Sequence, residues 1–351
     1  MNSTLKSYCK EINNMRVSIH TPPVANNSKH ENYYSLNGIR VIAAICIVIM
    51  HVQANISQKP NLGFISDSLI PSFGMFVQMF MLISAFSMCC GYYDKIKNSL
   101  ISPKEFYTRR VKRTLPFFAL MTIIDVAWEH SISSLFEGIA NITLFFNFFQ
   151  REISVIGVGW FIGVIAVFYM LFPCFVVLMD NKKRGVIIVL VSILLEFIAK
   201  DYFKIHETIN FSLYFSTFTI GGLIYLYRKQ MINLVSKYYV VSFLTCVFIT
   251  LLFYKYNWGL QLLMLSLWTC FAIGKNNIVL SNKAIDFLSG ISMEIYLCHM
   301  LFFRIVQKCN LDHVTSNFNV NYIFACIITL IGAIIFSYLV KYKIINKILL
   351  K

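Results

Sequence analysis

Charge is scarce in this chain, and acidic charge is scarcer still. Only 13% of its 351 residues are Asp, Glu, Lys or Arg, about half the roughly 25% typical of a soluble globular domain, so water is not its main solvent. Asp and Glu together number 16 against 31 Lys and Arg. The short segments of alternating polarity that mark a transmembrane β-barrel are absent. No CxxC occurs, and no cysteine/histidine spacing resembles a zinc site. The cysteines, among them Cys46, Cys89, Cys90, Cys174, Cys246, Cys270, Cys298 and Cys326 inside apolar runs, therefore read as small apolar fillers, with neither disulfides nor a metal expected. Residues 1–35 lack the apolar core and small-residue cleavage site of a signal peptide. They read as a disordered cytoplasmic tail. No repeat of 20–50 residues and no second soluble domain is visible.

Long apolar runs take the place of these features, and 58% of the residues are hydrophobic. Runs lie near 36–57, 70–92, 114–131, 158–179, 186–200, 211–227, 238–254, 259–274, 285–307 and 321–341, close to the roughly 18 residues that cross a bilayer as a helix. A further apolar piece at 142–150 is too short to span and reads as interfacial or re-entrant. With the N-terminus inside, most of the basic residues fall in the inner segments, among them 93–113, 180–185 and 228–237, as the positive-inside rule requires. The expectation is an all-α polytopic integral membrane protein of about ten transmembrane helices with both termini cytoplasmic. Residues 36–341 form its membrane domain and 342–351 a short basic tail. The net charge of +15 is thereby explained by topology, and no nucleic-acid partner is expected.

The first run, YSLNGIRVIAAICIVIMHV, holds Arg40 at its start and His51 near its far end. Eleven residues make almost three turns, so both side chains share one face, about 16 Å apart along the axis. Ionisable groups inside a membrane are costly and mark function by default, and histidine is suited to moving protons near neutral pH. The plainer readings are a positive-inside anchor for Arg40 and an interhelical hydrogen bond for His51.

Further motifs recur in order. FMLISAF (80–86) lies mid-helix, and FYTRRVKRTLP (106–116) carries Arg109, Arg110, Lys112 and Arg113 ahead of Pro116. GVGWFI (157–162) opens the next run, and ISMEIYLCH (291–299) places Ser292, Tyr296 and His299 at i, i+4 and i+7 on one helix face. Together with Arg40-x10-His51 these elements resemble the membrane-bound acyltransferase 3 family, polytopic O-acyltransferases of bacterial surface glycans. The resemblance runs from residue 35 to 300. Ala85 stands where the family usually has glycine, and Met293 and Glu294 occupy the variable middle of the last motif.

The resemblance implies acetyl-CoA, or another acyl-CoA, as a cytoplasmic donor substrate, with no permanently bound cofactor. A glycan or lipid-linked saccharide would be the acceptor, and the bacterial cytoplasmic membrane the location. Arg40, Arg109, Arg110 and Arg113 would hold phosphates, since arginine forks pair well with phosphate oxygens, and Ser84 would face the donor. The plainer readings are a topogenic basic stop for the arginines and small-residue packing for Ser84. His51 would act as general base on the acceptor hydroxyl, or form an acyl-histidine. His299 would bind the acceptor, orient the base, or simply tie helices together. Trp160, Tyr296 and Ser292 would contact substrate, Trp160 being equally at home in an interfacial aromatic belt.

Glu294 lies on a different face from His299 and is expected to meet an inner-side arginine instead. Asp125, Glu129 and Glu196 receive no role. Some relatives carry a fused esterase-like domain. This chain is expected to act directly or to pass the acyl group to a separate extracytoplasmic partner. A transporter or exporter of ordinary size is the rival reading, and an acyltransferase for a small or lipid acceptor a third.

Overall fold

The computed structural model describes residues 33–144, 157–205, 210–255 and 258–349. The tail before residue 33 and most of the apolar piece at 142–150 lie outside the described residues. Among the described residues the chain is helical throughout, with no strand.

The elements follow the apolar runs. Helix α1 is Ser35–Asn55. A continuous helical run, α2, covers Ile65–Lys97, with π turns at Ile65–Leu69 and Cys89–Tyr93. Helix α3 is Pro103–Glu129 and α4 is Ile132–Ile142. Helices α5, Trp160–Leu178, and α6, Lys182–Phe197, follow. Then come α7, Phe215–Lys237, α8, Tyr239–Phe253, and α9, Trp258–Gly274. The last three are α10, Lys283–Gly290, α11, Ser292–Lys308, and α12, Phe318–Tyr338.

Four stretches are long and apolar enough to cross a membrane unaided: α1, α2, α5, and α12 with its continuation to Ile345. Two more pass only as bent pairs, the α7 stretch with α8 at 102° and α10 with α11 at 67°. The runs at 211–227 and 238–254, expected as separate spans, pass that test only together, and the run at 285–307 is bent at Ile291.

Burial is inverted relative to a water-soluble fold. Helix α6 buries Ser192 and Glu196 and exposes Leu190, Ile193, Leu194 and Phe197. Ser192 bonds Thr219 at 2.7 Å, and the Ser216 hydroxyl donates to Glu196. Helix α4 turns Ser134, Gly138 and Asn141 inward and Ile132, Leu135, Phe136 and Ile139 outward. Polar groups pairing inside while leucine and isoleucine face out is the arrangement that lipid favours. The chain is a multi-pass membrane protein.

Helix α1 packs against α2, α9, α10, α11 and α12, so whatever it carries is placed near the centre of the helices. Helix α2 also packs on α7, closely enough that a Cβ on Gly221 would lie 2.6 Å from the Leu82 carbonyl oxygen and 2.7 Å from the Ala85 Cβ. Ala85, the residue in place of the family's usual glycine, is fully buried at that crossing in an unbroken α-helical stretch. The small-residue contact is supplied by Gly221 on the opposing helix.

Candidate active site

A cavity of about 310 Å³ opens where α1, α2, α3, α5, α11 and the end of α12 converge. The helical period decides which residues reach it. On α3, Arg110 and Arg113 are three apart and share the face that lines the cavity. Arg109, four residues before Arg113, does not line it. It is exposed and pairs with Glu105 at 2.5 Å, four residues earlier on the same helix. On α2, Ser84, Ser87 and Met88 lie on one face and all line the cavity, as do Phe161, Ile165 and Tyr169 on α5.

Arg40 enters from α1 and donates to Ser87 Oγ at 2.5 Å and to Asn37 Oδ1 at 3.1 Å. Arg110 donates to the Tyr92 hydroxyl at 2.7 Å and stacks on that ring, 4.7 Å from its centroid. Among the described residues no carboxylate pairs with Arg40, Arg110 or Arg113. Ser84 Oγ lies 3.5 Å from the Tyr169 hydroxyl. A carboxylate does reach the cavity, from Glu294, but it pairs with Lys341 at 2.6 Å. This corrects the expectation of an arginine partner. Four cations and one carboxylate therefore line one space, which suits a polyanionic ligand.

The cavity also meets an aromatic cluster. Phe80, Phe161 and Tyr296 all line it, with ring centroids 5.2–6.2 Å apart. The Tyr296 hydroxyl donates to the Val158 carbonyl at 2.9 Å, which fixes that ring. The Tyr296 ring lies 6.0 Å from His299, and the His299 ring lies 5.2 Å from His51. The two histidines, 248 residues apart in sequence, are thus neighbours that do not line the arginine cavity itself.

Their chemistry is partly set by hydrogen bonding. His299 is fully buried, and its Nδ1 lies 2.6 Å from the Tyr296 carbonyl oxygen. A carbonyl only accepts, so Nδ1 carries the hydrogen and Nε2 of the neutral ring bears a lone pair. That Nε2 has no partner among the described residues. A buried ring with a bare nitrogen beside a second imidazole can accept a proton or a hydrogen bond from a reacting group.

The other expected site residues divide between this cavity and its surroundings. Trp160 stacks on Tyr214, with centroids 5.7 Å apart, and does not line the cavity, whereas its neighbour Phe161 does. Ser292 lines it from the first turn of α11, its hydroxyl donating to the Ser289 carbonyl at 3.0 Å. Asp125 pairs with Arg304 at 2.5 Å on the His51 side of the helices, where Lys308 lies 3.9 Å over the Trp128 ring. Ser87, Tyr92, Tyr169 and Lys341 escaped the sequence reading. The i, i+3 spacing of Ser84 and Ser87 was a usable signal. Lys341 offered none, since it read as part of the basic C-terminal end.

A family model described as an acyltransferase domain matches residues 33–338. No curated protein and no solved structure matches the chain.

Proposed function

The chain belongs to the acyltransferase 3 family, and from that membership we propose that it transfers acetyl from cytoplasmic acetyl-CoA to a hydroxyl of a cell-surface polysaccharide or lipid-linked saccharide. In this reading it sits in a bacterial cytoplasmic membrane with ten spans and both termini inside. The observation that carries the donor assignment is the cavity of Arg40, Arg110 and Arg113, cations with no carboxylate partner among the described residues. Guanidinium groups held open in this way suit phosphate oxygens. The diphosphate of CoA binds there, and its thioester arm runs past Ser84 and Tyr169 towards the aromatic cluster.

His51 takes the proton from the acceptor hydroxyl as that oxygen attacks the thioester carbonyl. The tetrahedral intermediate collapses by breaking the carbon–sulfur bond, and the leaving thiolate takes the proton back from the imidazolium. His299, its Nδ1–H tied to Tyr296, packs its ring 5.2 Å from that of His51 and keeps that imidazole oriented by contact. Tyr296 and Phe161 border the passage between donor and base, and Ser292 lines the donor side. Arg109 contributes charge at the surface, and Trp160 shapes the packing behind Phe161. The product ester is either released on the glycan or handed to a separate extracytoplasmic partner.

The test is the O-acetyl content of the surface polysaccharide by NMR, in a deletion strain complemented with wild type or His51→Ala at equal membrane abundance. Acetyl signals should return with wild type alone. Equal restoration by both proteins would remove His51 from the mechanism. Restoration by neither, with acetyl-CoA still hydrolysed by purified wild type, would move the acceptor away from surface glycans.

A further inference from the structure

Glu294 is out of place in a site for a polyanion. It is 2% exposed, lines the cavity, and gives Oε1 to Lys341 at 2.6 Å, while its second oxygen, Oε2, is buried with no partner among the described residues. Lys341 also donates to the Gly290 carbonyl at the α10–α11 break. The ion pair is neutral as a unit, so it leaves the charge of Arg40, Arg110 and Arg113 available to phosphates. A buried carboxylate oxygen without a donor is costly, and a phosphate could not supply one. Its complement is an N–H or O–H group.

Resting on the acyl-CoA reading above, we propose that Glu294 Oε2 accepts a hydrogen bond from an amide N–H of the donor's pantetheine arm, with Lys341 holding the carboxylate in place. The arm carries two amide N–H groups and one hydroxyl between the diphosphate and the thioester. Glu294 lies two residues before Tyr296 on α11, about 3 Å along the helix axis, and both residues line the cavity. An acceptor on the stretch that ends at the aromatic cluster meets the arm after the phosphates have been bound. The pair thereby distinguishes a pantetheine-bearing anion from a nucleotide of equal charge, because only the former brings an amide N–H to this point.

The experiment is calorimetric titration of the purified full chain, wild type and Glu294→Gln, with CoA, 4′-phosphopantetheine and 3′,5′-ADP. Gln keeps the shape and one acceptor for Lys341 but turns an N–H towards the ligand's N–H. CoA and 4′-phosphopantetheine should bind roughly tenfold to a hundredfold more weakly to the variant, the range of a charge-assisted hydrogen bond. The nucleotide 3′,5′-ADP should bind within twofold of wild type, which also certifies the fold. Unchanged CoA affinity, or a loss confined to 3′,5′-ADP, overturns the proposal. If Glu294→Gln does not accumulate, Glu294→Asp withdraws the same oxygen while keeping the charge, and must give the same pattern. An equal loss for all three ligands would make Glu294 merely structural. If wild type binds none of them, the CoA reading itself fails, and the proposal with it.

Discussion

The two ends of α1 present contrasting environments on one helix. At the Arg40 end, Arg40, Arg110 and Arg113 line an open cavity with no carboxylate partner among the described residues, and Glu294 is already neutralised by Lys341. At the His51 end, the half-buried His51 lies against the buried His299, and the cation further along α11, Arg304, is itself neutralised by Asp125. The Phe80–Phe161–Tyr296 cluster lies between them. Cations alone therefore do not mark a binding site in this fold, since both ends have them. Cations left unpaired beside empty space do. The same separation divides labour, with charge recognition at one end and proton transfer at the other.

If that division holds, His51→Ala should lower turnover by about 10²–10⁴-fold, the usual range for losing a general base, while CoA affinity stays within twofold. Single-turnover acetyl transfer and calorimetric binding on the same preparation decide it. A variant that loses CoA affinity and keeps turnover would reverse the assignment of the two ends.

The next largest effect separates the two kinds of arginine. Arg40→Ala and Arg110→Ala should each weaken CoA binding by roughly tenfold to a hundredfold, as for loss of a charge-assisted hydrogen bond. Arg304→Ala should leave CoA affinity unchanged and instead lower the unfolding temperature in detergent, because it strands the buried Asp125 carboxylate. Equal losses of CoA affinity in all three variants would show that the cavity acts only through diffuse positive charge. The contrast between paired and unpaired cations would then collapse.

How much of this was legible beforehand follows from what a helix encodes. Arg40 and His51 fall on one face because eleven residues approximate three turns, and the motifs near 110 and 299 stand out in the same way. The sequence reading grouped Arg109 with Arg110 and Arg113, and the 3.6 period does not separate them, because Arg109 and Arg113 are four residues apart; it is the pairing of Arg109 with Glu105 that sets it apart. What a single helix cannot encode is its neighbour. The Glu294–Lys341 pair joins α11 to the turn after α12, and Asp125–Arg304 joins α3 to α11 across 179 residues. Likewise, a 67° bend divides what looks like a plain apolar run at 285–307. Hydropathy averages over such breaks, since the residues on both sides remain apolar.

Helix packing behind the cavity gives a smaller and purely structural prediction. Gly221→Ala would put a Cβ 2.6 Å from the Leu82 carbonyl oxygen, a backbone atom that cannot swing aside. The crossing of α2 and α7 should open, at a cost of about 1–3 kcal/mol, as for an overpacked core. Thermal unfolding should shift down by a few degrees. CoA affinity should fall only as far as Ser84 and Ser87, carried on α2, are displaced. A variant as stable as wild type would mean that the two helices are looser than this contact implies.

The smallest effect lies outside the membrane-spanning segments, in the loop between α5 and α6. Lys97 pairs with Asp180 at 2.7 Å, and the hydrogen bond to that ammonium holds the Asp180 carboxyl below the usual carboxylate range. A depressed carboxyl contributes stability that is fully present above its unfolded value, about 3.9, and is lost as pH falls through the lower folded value. The contribution should therefore be flat from pH 5 to 8 and vanish only in strong acid. Asp180→Asn should leave CoA affinity unchanged and remove this acid-side loss from the unfolding curve. Because the pair is half-exposed and screened by salt, the difference should shrink further at high ionic strength. A pH dependence near neutrality in the variant, absent from wild type, would point to a titrating group at the arginine cavity that senses the loop. Recognition and surface topology would then be coupled, and the separation argued between the two ends of α1 would not extend to the loops.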